Sequence, residues 1–87
     1  MTVTVRKPTE QEKQAMASCP TWECEVSEFD WDFEEEEECL ILEGVATVTY
    51  NGKAFHFGAG DYVIFPKGMK CHWSVTSPIK KHYKHNH

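Results

Sequence analysis

The residues in this chain whose side chains could bind a metal or take part in catalysis are a glutamate, a cysteine and a histidine in two separate segments. Glu37 lies in the glutamate run 34–38, and Cys71 precedes His72 shortly after the turn-rich segment 60–68. Carboxylate, thiolate and imidazole groups bind transition metals, and the same groups serve as acid/base catalysts or nucleophiles. The two segments could therefore form a metal site, hold a reactive thiol, or contribute to ordinary core packing.

Strand alternation predicts the direction of the side chains around Cys71. Successive side chains of a β-strand point to opposite faces, so Cys71, Trp73 and Val75 share one face and His72 lies on the other. We expect the apolar set to point inward and His72 to lie on the surface. A thiol buried among rings without a nearby cation has a raised pKa, which predicts an inert Cys71.

The stretch before Glu37 alternates in the same way. Phe29, Trp31 and Phe33 share one face, and Asp30 and Asp32 share the other. Burying each aromatic ring is worth about 2 kcal/mol, whereas burying unpaired carboxylates is costly. We therefore expect the rings to look into the interior. The predicted ligand-binding residues are Trp31, Phe33, Tyr50, Cys71 and Trp73.

Two interpretations of Glu37 remain open. If its side chain points into an apolar interior, desolvation raises its pKa and makes it a candidate catalytic acid or base. If it belongs to the solvated acidic run, it simply begins a strand.

The elements that position these residues are predominantly β. The spacing of Thr9 and Glu12 predicts a capping box for one short helix over about residues 10–17. Asn51-Gly52 between alternating runs predicts a tight hairpin. The predicted strands cover residues 2–6, 22–26, 28–33, 39–43, 45–50, 54–57, 62–65, 71–75 and 79–85. Closely spaced strands of this kind are typical of an all-β sandwich or barrel, here a single domain over residues 1–87.

Composition excludes several classes of function. The net charge of −5 argues against nucleic acid as a partner, and the basic stretch 80–85, with the histidines up to His87, is interpreted as a solvated strand end. No apolar run approaches the roughly 20 residues of a membrane span, and no signal core is present, so we expect a cytoplasmic protein with reduced thiols and no membrane partner. The four cysteines contain no Cys-x-x-Cys pair, which disfavours structural zinc.

Two spacings resemble those of a known family. Glu37 is followed after six residues by Gly44, and Gly60 is followed after five residues by Pro66-Lys67-Gly68, with Cys71 three positions later. Together with the surrounding residues, these spacings resemble the small single-domain cupins grouped with ureidoglycine aminohydrolase and the ethanolamine-utilisation cupins. The resemblance implies an all-β, jelly-roll β-barrel of the cupin type.

The resemblance also implies where a metal would bind. Metal-binding cupins of this kind carry His-x-His shortly before the position of Glu37 and a further His at position 71. In this chain the His positions correspond to Trp31 and Phe33, or to Asp30 and Asp32, and position 71 is cysteine. We therefore expect no cofactor. Were Zn, Mn, Fe or Ni present, Glu37 and Cys71 would be the ligands.

Three functions follow as alternatives. The first is a metal-free cupin that binds a small polar or aromatic molecule, with Glu37 as its polar anchor. The second is a metal-dependent hydrolase, isomerase or oxygenase with an altered ligand set. The third is a non-catalytic interaction module that pairs as a homodimer.

Overall fold

The structure is a computed structural model that describes residues 2–86. Over these residues it contains one short helix and seven strands, which confirms the predicted all-β class. The elements are β1 (Thr4–Arg6), α1 (Glu10–Met16), β2 (Thr21–Cys24), β3 (Ser27–Asp32), β4 (Glu36–Tyr50), β5 (Lys53–Gly58), β6 (Tyr62–Phe65) and β7 (Lys70–Asn86). Within the described residues, no helix has the length and apolar character that a membrane crossing requires.

Two long antiparallel strands organise the barrel. β4 and β7 pair from Glu36 opposite Asn86 to Thr49 opposite His72. The first part of β4 also pairs with β6, and its second part pairs with β5. β7 likewise pairs first with β3 and then with β2. Because each long strand changes its outer partner midway, the sheet divides into two halves, β1-β6-β4-β7-β2 and β5-β4-β7-β3.

The change of partner in β4 occurs around Gly44. The β4–β7 register shifts between Ile41 and Ala46, and Gly44 has φ of +88°. A Cβ atom at this position would collide with the backbone carbonyl of Pro78, so only glycine fits. The sequence predicts that one strand ends before Gly44 and another begins after it. This is wrong, because a single bulged strand continues through Gly44. β7 likewise joins the two predicted strands 71–75 and 79–85.

Helix α1 packs on the outside of the barrel. The predicted capping box is confirmed: Glu12 N donates to Thr9 Oγ1 at 3.1 Å, and Thr9 N donates to Glu12 Oε1 at 2.9 Å. Met16, at the end of the helix, is buried with Leu40 and Tyr62 in a small cluster separate from the main core. The helix therefore covers an outer apolar patch and takes no part in the interior.

The main core fills the space between the two halves. Cys71, Trp73 and Val75 are buried in it, so their predicted inward direction is confirmed. The predicted hairpin is also confirmed, since Asn51 and Gly52 have φ of +51° and +76°, as a type I′ turn requires. The other core residues are Val3, Phe33, Cys39, Ile41, Ala46, Val48, Phe57, Val63, Phe65, Met69 and Ile79.

Candidate ligand-binding site

An aromatic-walled pocket of about 200 Å³ opens at one end of the barrel. Strands β2, β3, β4 and β7 and the segment between β3 and β4 supply its walls. The lining residues are Trp22, Phe29, Trp31, Phe33, Glu37, Trp73, Lys81, Tyr83 and His85. Trp31, Phe33, Trp73 and Glu37 of the predicted site are therefore brought together.

The rings form a continuous wall from the interior to the surface. Phe29 stacks on the buried Trp73 with centroids 5.9 Å apart, and Trp22 meets both rings edge-on at 6.2 and 6.1 Å. Trp31 packs edge-on against Phe29 at 6.5 Å and is 49% exposed. Such edge-to-face and offset arrangements stabilise ring clusters beyond the area they bury. The wall is therefore a preformed apolar surface.

The floor of the pocket is a buried ion pair. Lys81 Nζ lies 2.7 Å from Glu37 Oε2, and the two residues are 5% and 6% exposed. The same ammonium lies 5.0 Å from the ring centroid of Trp22 and 4.9 Å from that of Trp73. Cation–π attraction and the ion pair together offset the loss of hydration of the ammonium.

Glu37 accepts two further contacts. His85 Nε2 lies 2.9 Å from Glu37 Oε1, and Cys39 Sγ donates to Oε2 at 3.0 Å. Burial alone would raise the pKa of Glu37, but the charge of Lys81 and these hydrogen bonds outweigh it, so the pKa lies below its usual value. Glu37 thus points into the interior, and the interpretation as part of the solvated run is wrong. The raised pKa expected for an inward Glu37 is also wrong, because the Lys81 ammonium lies beside the carboxylate.

Lys81 is held in its charged form by the same cluster. Its ammonium also contacts Cys39 Sγ at 3.4 Å. Burial alone would lower the pKa of Lys81, but the interactions with Cys39 and Glu37 outweigh it and the pKa is raised. The pair therefore consists of an ammonium and a carboxylate at neutral pH.

Cys71 and Tyr50 lie outside the pocket lining. Cys71 is buried, and its Sγ donates to the backbone oxygen of Trp31 at 3.5 Å. Burial raises the pKa of the Cys71 thiol to about 11, and the nearby Trp73 indole opposes this only in part. Tyr50 ends β4 at the hairpin and packs against the core. Ligand binding by either residue stays a prediction.

His72 points outward, as predicted. Its Nδ1 lies 2.9 Å from Asp30 Oδ1, and its Nε2 lies 3.2 Å from Glu28 Oε1. The hydrogen bond to Asp30, followed by the one to Glu28, raises the pKa of His72. These contacts join β3 to β7 on the outer surface, and His72 does not line the aromatic pocket.

Sequence reasoning missed three pocket residues near the end of β7. Lys81, Tyr83 and His85 belong to the stretch predicted to be solvated, and for the buried Lys81 that prediction is wrong. Strand alternation could have identified them. Lys81, Tyr83 and His85 follow the apolar Ile79 at intervals of two residues, so all four side chains share one face of the strand. Trp22 was also missed as a pocket residue. His87 lies outside the described residues.

The divided antiparallel barrel with a pocket at one end is a cupin fold. A family model described as the EutQ-like cupin domain matches residues 11–83, and the chain belongs to this family, which confirms the resemblance. The chain is similar to the solved DUF861 family protein of Thermotoga maritima, at 43% identity and a TM-score of 0.92. The match covers 98% of this chain and 100% of that one.

Two EutQ structures show the same fold at lower similarity. The EutQ protein of Clostridium difficile has 22% identity and a TM-score of 0.70, and the match covers 93% of this chain and 64% of that one. A putative ethanolamine utilization protein from Salmonella typhimurium has 24% identity and a TM-score of 0.69, covering 93% of this chain and 66% of that one. No curated protein matches the chain.

The donor set at the usual cupin metal position does not fit a resident metal. Glu37 already binds Lys81, His85 and Cys39, and Trp31 and Phe33 offer rings without ligand atoms. Asp30 contacts His72 on the outer face. Over residues 2–86, no group of three or more His, Cys, Asp or Glu side chains is arranged to hold a metal ion.

Proposed function

We propose that this cupin binds a small, ring-sized molecule in its aromatic pocket and does so without a resident metal. The observation that carries the proposal is the buried Lys81–Glu37 ion pair on the floor of an aromatic-walled cavity. Small-molecule sites are mostly apolar, with a few fixed polar groups that orient the ligand. This pocket has that composition, and its polar groups are preorganised by one another.

The charge of Lys81 supports a binding site without a metal. A divalent cation bound to Glu37 would share the carboxylate with the Lys81 ammonium, which lies 2.7 Å from its Oε2 atom. Two cationic centres on one carboxylate would repel each other strongly in a poorly hydrated interior. Lys81 supplies a positive charge at the carboxylate that a metal would otherwise bind.

Binding is tested by NMR with single-ring compounds, among them phenol and indole. The chain has three tryptophans, all in the pocket wall, so their indole N–H signals report occupancy directly. We expect saturable shifts of these signals and a loss of affinity of about tenfold or more in W31A, since a stacked aromatic side chain is worth roughly 1–3 kcal/mol.

The matched control for W31A is V26A. Val26 is 61% exposed and is not among the pocket-lining residues, so its loss should leave affinity unchanged. Equal affinities in W31A and V26A would place the binding elsewhere. If no ring compound shifts an indole N–H signal, the proposal is overturned and a non-catalytic interaction module is favoured.

Elemental analysis tests the metal. Protein purified without a histidine tag should contain far less than one equivalent of any divalent metal. Stoichiometric Zn, Mn, Fe or Ni that disappears in E37A would reverse this part of the proposal and favour the metal-dependent enzyme.

A second candidate function, proton transfer, is favoured by His85. Its side chain is 42% exposed at the edge of the pocket, and its Nε2 lies 2.9 Å from the Glu37 carboxylate. A carboxylate that fixes one ring nitrogen leaves the other to exchange protons with a bound molecule. In this scheme Glu37 is a positioning residue. Conversion of a bound ligand in the wild type, lost in H85Q with binding retained, would support it; equal conversion in H85Q would contradict it.

A further inference from the structure

The size and charge of the pocket narrow the chemistry of its ligand. A closed apolar cavity of about 150 Å³ holds one benzene molecule. At about 200 Å³, this pocket has room for one six-membered ring and a small substituent. The part of the ligand that enters this pocket is therefore a single substituted ring, and the floor determines which substituent that ring can carry.

The floor favours a hydrogen-bond acceptor. Lys81 has three ammonium hydrogens, and the described residues accept two of them, at Glu37 Oε2 and Cys39 Sγ. Glu37, in contrast, is in contact with three donors or donor-capable groups: Lys81, Cys39 and His85. Since Lys81 lines the pocket, its remaining hydrogen is available to a hydrogen-bond acceptor of a ligand.

An anionic substituent is disfavoured by the surroundings. A wider groove, here called the mouth, shares Trp31, Phe33, Glu37 and His85 with the pocket. Its other described lining residues are Asp30, Asp32, Glu34 and Glu35. His72 and Lys70, opposite Asp30 and Asp32 on β7, offset only part of this negative charge. A ligand carboxylate would also stand beside Glu37, with a single ammonium to share between them.

A cationic substituent is disfavoured at the floor for the opposite reason. The Lys81 ammonium already lies over the rings of Trp22 and Trp73, at 5.0 and 4.9 Å. A second cation placed there would meet a like charge. It would also find these aromatic faces engaged by the protein itself.

We propose that the ligand is an uncharged single-ring molecule with a carbonyl oxygen, an aromatic amide or a lactam of that size, whose oxygen accepts the third hydrogen of Lys81. This rests on the proposed function and adds the ligand's chemical class to it. The ring lies against the aromatic wall, and the carbonyl group reaches the floor.

Four probes with the same ring test the class: benzamide, toluene, benzoate and benzylamine, titrated at neutral pH against the indole N–H signals. In the wild type, benzamide should bind about tenfold or more tighter than each of the other three, which corresponds to about 1.4 kcal/mol. Toluene measures the contribution of the ring alone, and the two charged probes measure the exclusion of charge.

The double variant E37M/K81M removes the donor and its counter-ion together, and so leaves no unpaired buried charge. In it the advantage of benzamide over toluene should disappear, while toluene still binds. Benzoate or benzylamine binding as tightly as benzamide to the wild type would overturn the class and leave ring binding standing. A benzamide advantage that persists in E37M/K81M would show that Lys81 is not the donor and overturn the inference. If none of the four probes shifts an indole signal, the proposed function fails as well.

Discussion

Lys81 and Glu37 form an ion pair although they are not opposite each other in the sheet. The backbone of Lys81 pairs with Ile41, and Glu37 pairs with His85, yet Lys81 Nζ reaches Glu37 Oε2 at 2.7 Å. The lysine side chain therefore runs along the inside of the barrel, toward the pocket end of β4. In doing so it passes the rings of Trp22 and Trp73. A long flexible stem is needed for this reach, and lysine supplies it.

The first prediction concerns the energetic coupling of this pair. K81M leaves Glu37 charged and buried without its ammonium, and should lower the free energy of unfolding by about 3–5 kcal/mol. E37M should be destabilising for the same reason, because it leaves the buried Lys81 ammonium without its counter-ion. E37M/K81M removes both charges and should recover most of the loss. Urea denaturation of the wild type and the three variants gives the coupling energy.

The control for this cycle is K80M. Lys80 lies next in the chain but points outward, 3.7 Å from the exposed Glu23. An exposed pair of this kind contributes less than about 1 kcal/mol. If K81M were no more destabilising than K80M, the buried ion pair would have no energetic role.

The second prediction concerns acid stability. The pKa of Glu37 is lowered in the folded protein, so its contribution is present above the unfolded pKa, about 4.3, and is lost as the pH falls through the folded value. Relative to E37M/K81M, the wild type should therefore lose stability as the pH falls below about 4.3. Denaturation midpoints measured across the acidic range check this.

At alkaline pH the contribution of the ion pair to stability changes with pH in the opposite direction. The pKa of Lys81 is raised, so its contribution is complete below the unfolded value of about 10.4 and is lost as the pH rises through the folded one. Between these limits the difference between the wild type and E37M/K81M should be flat. K80M should follow the wild type throughout; a parallel course of the double variant would instead assign the acid sensitivity to other carboxylates.

The sequence predicts the fold well because its signals are local. The Thr9–Glu12 capping box and the Asn51-Gly52 hairpin each depend on a few adjacent residues, and both are present. Gly44 shows the limit of such reasoning: a glycine that ends a strand and one that bends it look alike in sequence. Only the close approach of the Pro78 carbonyl reveals that the strand continues.

The site is predicted only in part because its polar floor depends on a long-range contact. Alternation places Trp31, Phe33 and Trp73 on inward faces, and all three rings line the pocket. Phe33 and Trp73 are buried as predicted, but Trp31 is half exposed, so for this ring the predicted interior position is wrong. The protonation state of Glu37 depends instead on Lys81, which is 44 residues away in the chain. Composition suggested solvent for that lysine, whereas alternation from Ile79 would have placed it inside.

The third prediction compares two glycines that both have positive φ. Gly52 has φ of +76°, and a Cβ atom added there would meet no neighbour within 4 Å, so G52A should cost only the backbone strain, about 1–2 kcal/mol. G44A adds a collision with the Pro78 backbone, which cannot move as a side chain can. Its loss in urea denaturation should clearly exceed that of G52A. Equal losses would show that the β4 bulge relaxes freely.

The last prediction separates reactive from inert thiols. Cys19 and Cys24 are partly exposed, whereas Cys39 and Cys71 are buried. Burial raises the pKa of both buried thiols, that of Cys71 to about 11, so little thiolate forms at mildly alkaline pH. An aromatic disulfide reagent should therefore modify the two partly exposed cysteines of the native protein and, after unfolding in guanidinium chloride, all four. The fast reaction of the native protein with the reagent should be unchanged in C71A. If this fast reaction were lost in C71A but kept in C19A and C24A, Cys71 would be a reactive nucleophile.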